Sequence, residues 1–378
     1  MTKVYECGVF TIAANILDGE EPWLVPDHVK WAVRLWPGGP NATWLSELLL
    51  NGPLAHRGWC LQERHLSPRI IHVFHDNVWV WECDSRVRGF NKNGTVYRSE
   101  VTDDFLKWRK LVSKGTPETS QDGRNRLLDR WDMIIEDYSK RKLTCQSDLV
   151  PALYGLVSKV QPLLSLQYLG GFWESDLLGL MWFKEELLLT SELKRRSEDK
   201  SSMEVVISNA PSWSWYSARG RIRYVGFLDH KEHYPPPSRA SCELAAKMMG
   251  NSVYYNNDGG LGENPSITIR SRFLSRITNA HSGKLSRAVP FRVSLDLVAE
   301  GNIAINELHS SSFNNDAKAH NADKIQYLIL GWDSFKSFFG LILSPVNNNH
   351  TVFCRVGIFV GAAPESLRRG SETNVKII

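Results

Sequence analysis

Apolar residues along this chain recur at two periods, and the change from one to the other orders its elements. Ile70, Ile71, Val73 and Phe74 form a β-favouring run, His75-Asp76-Asn77 supplies a turn, and Val78-Trp79-Val80-Trp81 forms a second run. The pair predicts a hairpin, and apolar side chains on both faces of each strand predict cover on two sides. Just upstream, Asn51-Gly52-Pro53 is a turn signal. From Leu54 to Leu66 only Gly58 disfavours a helix, and Pro68 ends it. Ahead of that helix, Val9 to Ala14 predicts a buried strand.

Between these, residues 18 to 53 read as a long Pro- and Gly-rich connection pinned by Trp23, Trp31, Trp36 and Trp44. Asp84 to Gly123 is polar and mixed, with a short helix around Phe105, Trp108, Leu111 and Val112. Leu127, Trp131, Ile134, Ile135 and Tyr138 mark an amphipathic helix. Ser147 or Asp148 is placed to cap the next one, whose first turn holds Pro151. Leu177 to Leu189 reads as a buried helix, and the charged stretch Ser191 to Met203 as a boundary. Runs 211–215 and 221–225 predict a second hairpin around Ala218-Arg219-Gly220. Residues 266–270, 293–298, 325–330, 339–343 and 352–360 predict an antiparallel sheet with one well-covered face; residues after Pro364 read as a frayed tail.

The 378 residues suffice for two or three domains, and a net charge of +4 with dispersed Lys and Arg lacks the footprint of a nucleic-acid binder. Six scattered Cys without a CxxC pair point to reduced thiols inside a cell. No apolar run approaches the ~20 residues of a membrane span, and Glu6 and Asn15 spoil a signal peptide around Val9–Leu17. The expectation is a soluble, cytoplasmic protein.

Chemistry gathers on the Leu54–Leu66 helix. His56, Cys60 and Glu63 fall at steps of four and three, with Trp59 one turn before Glu63. A carboxylate beside an indole loses solvation and suits acid–base or charge-stabilising work. The plain structural alternative places Glu63 at the edge of the core, paired with Arg57, Arg64 or Arg69. His72 and His75 face opposite ways on a strand and do not make a metal site with Cys60, His65 or Cys83, so no metal is expected. Cys60 reads as a packed thiol. Gly259-Gly260-Leu261-Gly262 lacks a flanking strand and helix and reads as a loop.

Arg57-Gly58-Trp59-Cys60-Leu61-Gln62-Glu63-Arg64, followed by Ser67-Pro68-Arg69 and Trp81-Glu82-Cys83, resembles the fungal heterokaryon incompatibility (HET) family, with Cys60 at a position where the family usually has Thr. Tyr138-Ser139-Lys140-Arg141-Lys142-Leu143-Thr144 and Pro211-Ser212-Trp213-Ser214-Trp215 resemble its downstream blocks. The family's two opening strands have no counterpart, which implies a domain truncated at its N-terminus. The resemblance implies an α/β fold: an incomplete TIR-like or Rossmann-like HET core over residues 1–90, then a helical region over 91–190. A β-rich antiparallel region over 204–363 and a tail over 364–378 complete the expectation.

The implied role is fungal self/non-self recognition (allorecognition) and programmed cell death, with other proteins of the incompatibility response as partners and self-association. Trp59-Cys60-Leu61-x-Glu63 is also similar to the segment that carries the catalytic glutamate of NAD-cleaving TIR domains. That similarity implies Glu63 as catalytic residue, Trp59 and Arg57 as nucleotide contacts, and NAD as substrate rather than cofactor. Such activity is expected to be absent if part of the pocket is missing. A competing reading makes the C-terminal sheet a protein-binding module.

Overall fold

A computed structural model describes residues 2–15, 43–74, 78–90, 96–98, 103–184, 210–218, 220–224, 239–253, 265–274, 292–295, 326–333, 337–346, 351–362 and 372–378. The chain divides into two compact units, Met1–Arg130 with Lys140–Ser165, and Trp131–Ser139 with Leu166–Ile378. Both mix helices with strands, and the second is β-rich.

The first unit begins with helix α1 (Thr2–Glu6) and strand β1 (Thr11–Ala14). Helix α2 (Thr43–Asn51), a 3-10 turn at Pro53–His56 and helix α3 (Gly58–Leu66) lead into β2 (Arg69–Val73) and β3 (Trp79–Cys83). Strands β4 (Val87–Phe90) and β5 (Val96–Arg98) complete a five-stranded sheet in sequence order. Helices α4 (Asp103–Lys114), α5 (Gln121–Ser139) and α6 (Pro151–Leu164) follow, and α5 gives its last nine residues to the second unit.

Parallel pairing of β1 with β2, Thr11 opposite Ile70, requires a crossover between them, and α2 and α3 lie within it. The rest of the sheet is antiparallel, including the expected hairpin, where Ile71 lies opposite Trp81. Its turn, His75–Asn77, lies outside the described residues. The hairpin is buried on one face rather than two: Ile70 and Val80 are buried while Trp79 is exposed. The buried face receives α2, whose Leu45, Leu48 and Leu49 pack on Phe74, Val78, Val80 and Val87. Strand β1 is not buried as expected, since Val9, Phe10 and Ile12 are exposed.

Four further expectations in this unit are corrected. Helix α2 occupies part of the stretch read as a connection, and β4 and β5 part of the polar stretch after Asp84. The Leu54–Leu66 helix is interrupted at Arg57, which is extended (φ −95°, ψ 131°) and bridges to Lys142. Neither Ser147 nor Asp148 caps α6: its N-cap is Val150, and Asp148 instead accepts a hydrogen bond from the Trp59 indole.

In the second unit, a 3-10 turn (Leu177–Leu180) and strand β6 (Trp182–Lys184) replace the start of the expected Leu177–Leu189 helix. Residues 185–189 and the boundary expected at 191–203 lie outside the described residues. β6 pairs with β7 (Ile222–Tyr224), so residues 211–215 are not the partner strand of a hairpin; Trp215–Ser217 is a 3-10 turn. Strands β8 (Glu243–Leu244), β9 (Lys247–Asn251), β10 (Ile267–Leu274), β11 (Arg292–Leu295), β12 (Gln326–Trp332), β13 (Ser337–Pro345), β14 (Val352–Ala362) and β15 (Glu372–Ile377) form one sheet.

The last strand falls where a frayed tail was expected, in residues 372–378, the described part of that stretch. It is instead core: Val375 and Ile377 are buried, and β15 pairs antiparallel with β10 and parallel with β14. Because β10 also pairs with β12, strands β10 and β12 to β15 close into a ring. Both faces carry apolar cores, Leu328, Leu330, Phe339 and Leu341 on one and Ile329, Phe338, Ile342 and Phe359 on the other, so the expectation of one covered face is also corrected. Among the described residues no helix is long and apolar enough to cross a membrane.

Candidate functional site

Helix α3 starts at Gly58, over which the Leu143 side chain packs. A Cβ on Gly58 would lie 2.3 Å from Leu143 Cδ2, so Leu143 and α3 approach only across a bare backbone. The Gly58 N–H donates to Lys142 O (2.8 Å) and the Lys142 N–H to His56 O (2.6 Å), which satisfies backbone groups that a helix start leaves unpaired. On the side of α3 facing α6, Gln62 is buried and accepts the Gly155 N–H at 3.2 Å. Buried His65 meets the Trp108 ring edge-on, with centroids 4.9 Å apart.

The other side of α3 faces a cleft. Cys60, Glu63 and Arg64 line it together with Thr11, Ile12 and Ala13 of β1, Ile70 and His72 of β2, and Arg141. Glu63 is half-buried, and its carboxylate lies near enough to the Tyr5 phenol and the Cys60 thiol for its charge to act on both. Burial, and then the neighbouring Glu63 charge, push the Cys60 thiol up to about 11, so it stays protonated at neutral pH, as a packed thiol should. Burial and the same carboxylate push Tyr5 up to about 12. The enclosed volume, about 60 Å³, has room for a few waters, whereas sites for drug-sized ligands run to roughly 300–1,000 Å³.

Arg64 and His72 belong to the cleft and also to a buried charge network beneath it. Glu82 on β3 has no solvent exposure. Arg64 holds both its oxygens (Nε at 3.2 and 3.1 Å, Nη2 at 3.0 Å), Arg109 Nη1 lies at 2.7 Å and His72 Nε2 at 3.2 Å. Arg109 also donates to the Ser67 carbonyl, and Arg64 to that of Leu49 at 3.3 Å. Burial by itself would raise the Glu82 carboxyl; the Arg64 charge, the His72 hydrogen bond and the Arg109 charge override it and hold Glu82 far below the usual carboxylate range. Burial lowers His72 against the pull of Glu82, so His72 is neutral at pH 7.

Of the three residues expected to carry chemistry, Glu63 lies in the cleft and the other two are not among its lining residues. The Trp59 indole N–H is committed to Asp148 Oδ2 at 2.9 Å. Arg57 is exposed, and its carbonyl accepts from Arg141 at 3.3 Å. Arg64 is bonded to Glu82, and Arg69 donates to Val9 O at 3.3 Å. Among the described residues no group of three or more His, Cys, Asp or Glu is placed to hold a metal ion, and His75 lies outside them.

Sequence reading missed Arg109, Arg141, Tyr5 and the partnership around Glu82. A signal was present for two of them. Arg109 sits between Trp108 and Val112 on the apolar stripe of α4, and Glu82 interrupts the run of apolar residues in β3, each a charge where the pattern calls for a hydrophobe. Comparison with protein-family models, curated proteins and solved structures returned no match.

Proposed function

We propose that this chain is a HET-type protein of fungal self/non-self recognition, acting in the cell-death response through the site around Glu63. One observation carries the reading. Residues from three separate blocks of the HET resemblance, Arg64, Ser67 and Glu82, meet in a single buried network, and a fourth block sets the start of α3 through Lys142 and Leu143. Buried ion networks generally stabilise a fold less than apolar packing would, so one beneath a cleft points to a site whose geometry matters. On this reading β1, α3 and β2 are the TIR-like or Rossmann-like part of the core, and the partners are other cytoplasmic proteins of the response or further copies of the chain.

The position of Glu63 in the cleft also favours a second reading, cleavage of NAD. The carboxylate would stabilise positive charge on the ribose as its bond to nicotinamide breaks and water adds to the same carbon. The small enclosed volume weighs against it, because a dinucleotide would need the cleft to widen.

Inducible expression of the full chain in a filamentous fungus tests both readings. Loss of viability within hours of induction is the expected result, and undiminished growth at high protein level would refute the proposal. Cellular NAD, followed in the same cultures, falls before viability only on the second reading.

A further inference from the structure

His72 is mounted in the first sheet on β2, opposite Ala13 of β1 and Val80 of β3. Its ring is fixed from two sides. Nε2 lies 3.2 Å from Glu82 Oε2, and the Phe74 ring stacks beside it, with centroids 6.3 Å apart and planes 20° apart. Glu82 is ionised and can only accept, so His72 donates to it through Nε2. The charges that face the ring are Glu82 from β3, Arg64 from α3 and Arg109 from α4. Burial first, and then the two guanidiniums, keep the ring neutral against the pull of Glu82. A neutral imidazole with its proton on Nε2 carries its lone pair on Nδ1. Among the described residues nothing donates to Nδ1, and unlike His65 Nδ1 it is not sealed from solvent. His72 lines the cleft beside Ala13, Cys60 and Glu63. A buried carboxylate thus holds the proton side of the ring and leaves the basic nitrogen for the cleft, as it does for a working histidine.

We propose that His72 is the general base of this site, aimed by Glu82, and that it activates a water in the cleft for attack on the ribose of NAD. The proposal rests on the second reading above, cleavage of NAD, and adds the group that supplies the nucleophile. The water oxygen bonds to the ribose carbon while the bond from that carbon to nicotinamide breaks, its electron pair leaving on the nicotinamide nitrogen. The water proton passes to His72 Nδ1 and from there to solvent, and Glu63 stabilises the positive charge on the ribose meanwhile. The enclosed volume of about 60 Å³ has room for that water.

Two measurements on the full chain test this. Nitrogen-15 NMR of the His72 ring reports the tautomer without any substrate: a proton on Nε2 and a bare Nδ1 are expected, and a proton on Nδ1 would overturn the assignment. NAD hydrolysis by the purified wild type, His72→Gln and His72→Ala reads the chemistry, with thermal melting to show that each is folded. The Gln side chain still donates to Glu82 but offers no base, so kcat is expected to fall about a hundredfold or more with KM unchanged. Added imidazole is expected to restore turnover to His72→Ala and none to Glu63→Ala. An undiminished kcat in His72→Gln, or no rescue of His72→Ala, would overturn the role of His72 and leave NAD cleavage standing. NAD left intact by the wild type would remove the cleavage reading, and the base with it.

Discussion

A carboxylate without solvent exposure stays ionised only where neighbouring charges and hydrogen bonds replace the water it has lost; Arg64 and Arg109 supply the charges for Glu82, and His72 a hydrogen bond. Its pKa is lower folded than unfolded. The network therefore contributes in full above the ordinary carboxylate range, and the contribution is withdrawn as pH falls from about 5 toward the folded value. His72, buried and neutral, acts in the same direction, because its protonation below about pH 6.5 favours the unfolded chain. Glu82→Ala should cost about 3–5 kcal/mol at pH 7, since it takes the buried carboxylate away from Arg64 and Arg109. At pH 4 the loss should be smaller, because there the wild type has already begun to forfeit the interaction. Urea midpoints of both proteins at the two pH values check this, and an equal loss at both would contradict the account. The sequence marked Glu82 and Arg109 as charges in apolar company but not as each other's partners. Strand β3 and helix α4 are brought together only by the tertiary fold.

Elements with a plain period were legible, and those defined by a partner were not. The hairpin β2–β3, helices α4, α5 and α6 and strands β10 to β14 follow from apolar spacing. Strands β4 and β5 are short, and each exists because a neighbour's open edge offers hydrogen bonds; β7 was legible as a strand, but its partner is β6 and not residues 211–215. Strand β15 reads as polar along Glu372-Thr373-Asn374, and only its pairing with β10 explains why Val375 and Ile377 are core. The break at Arg57 was likewise hidden, because its cause is the bridge to Lys142 and the fit of Leu143 over Gly58. Gly58→Ala should therefore destabilise the first unit by about 1–3 kcal/mol, the cost of forcing a methyl into a packed contact, although alanine is the better helix former. Thermal melting measures it, and a stabilised variant would show that Leu143 yields freely.

At the scale of the whole molecule, the second unit is not a sheet added to a helical neighbour. Leu169, Phe172, Leu177, Leu180, Met181 and Phe183 share one apolar core with Ile267, Leu328, Phe339 and Ile377. Asp132 of α5 and Asp176 both bind Arg239, at 2.8 Å each. A fragment of residues 204–378 would lose all of those upstream contributors, so it should melt without a cooperative transition, whereas the intact chain melts cooperatively. A sharp calorimetric transition in the fragment would show that the strands suffice alone, as the binding-module reading needs. For the central claim, that the Glu63 site drives cell death, the most direct measurement compares viability after induction of the wild type and of Glu63→Ala at matched protein levels. The account predicts that wild-type cells die and Glu63→Ala cells survive. Equal killing by the two would remove Glu63 from the mechanism, and survival of both would remove the mechanism itself.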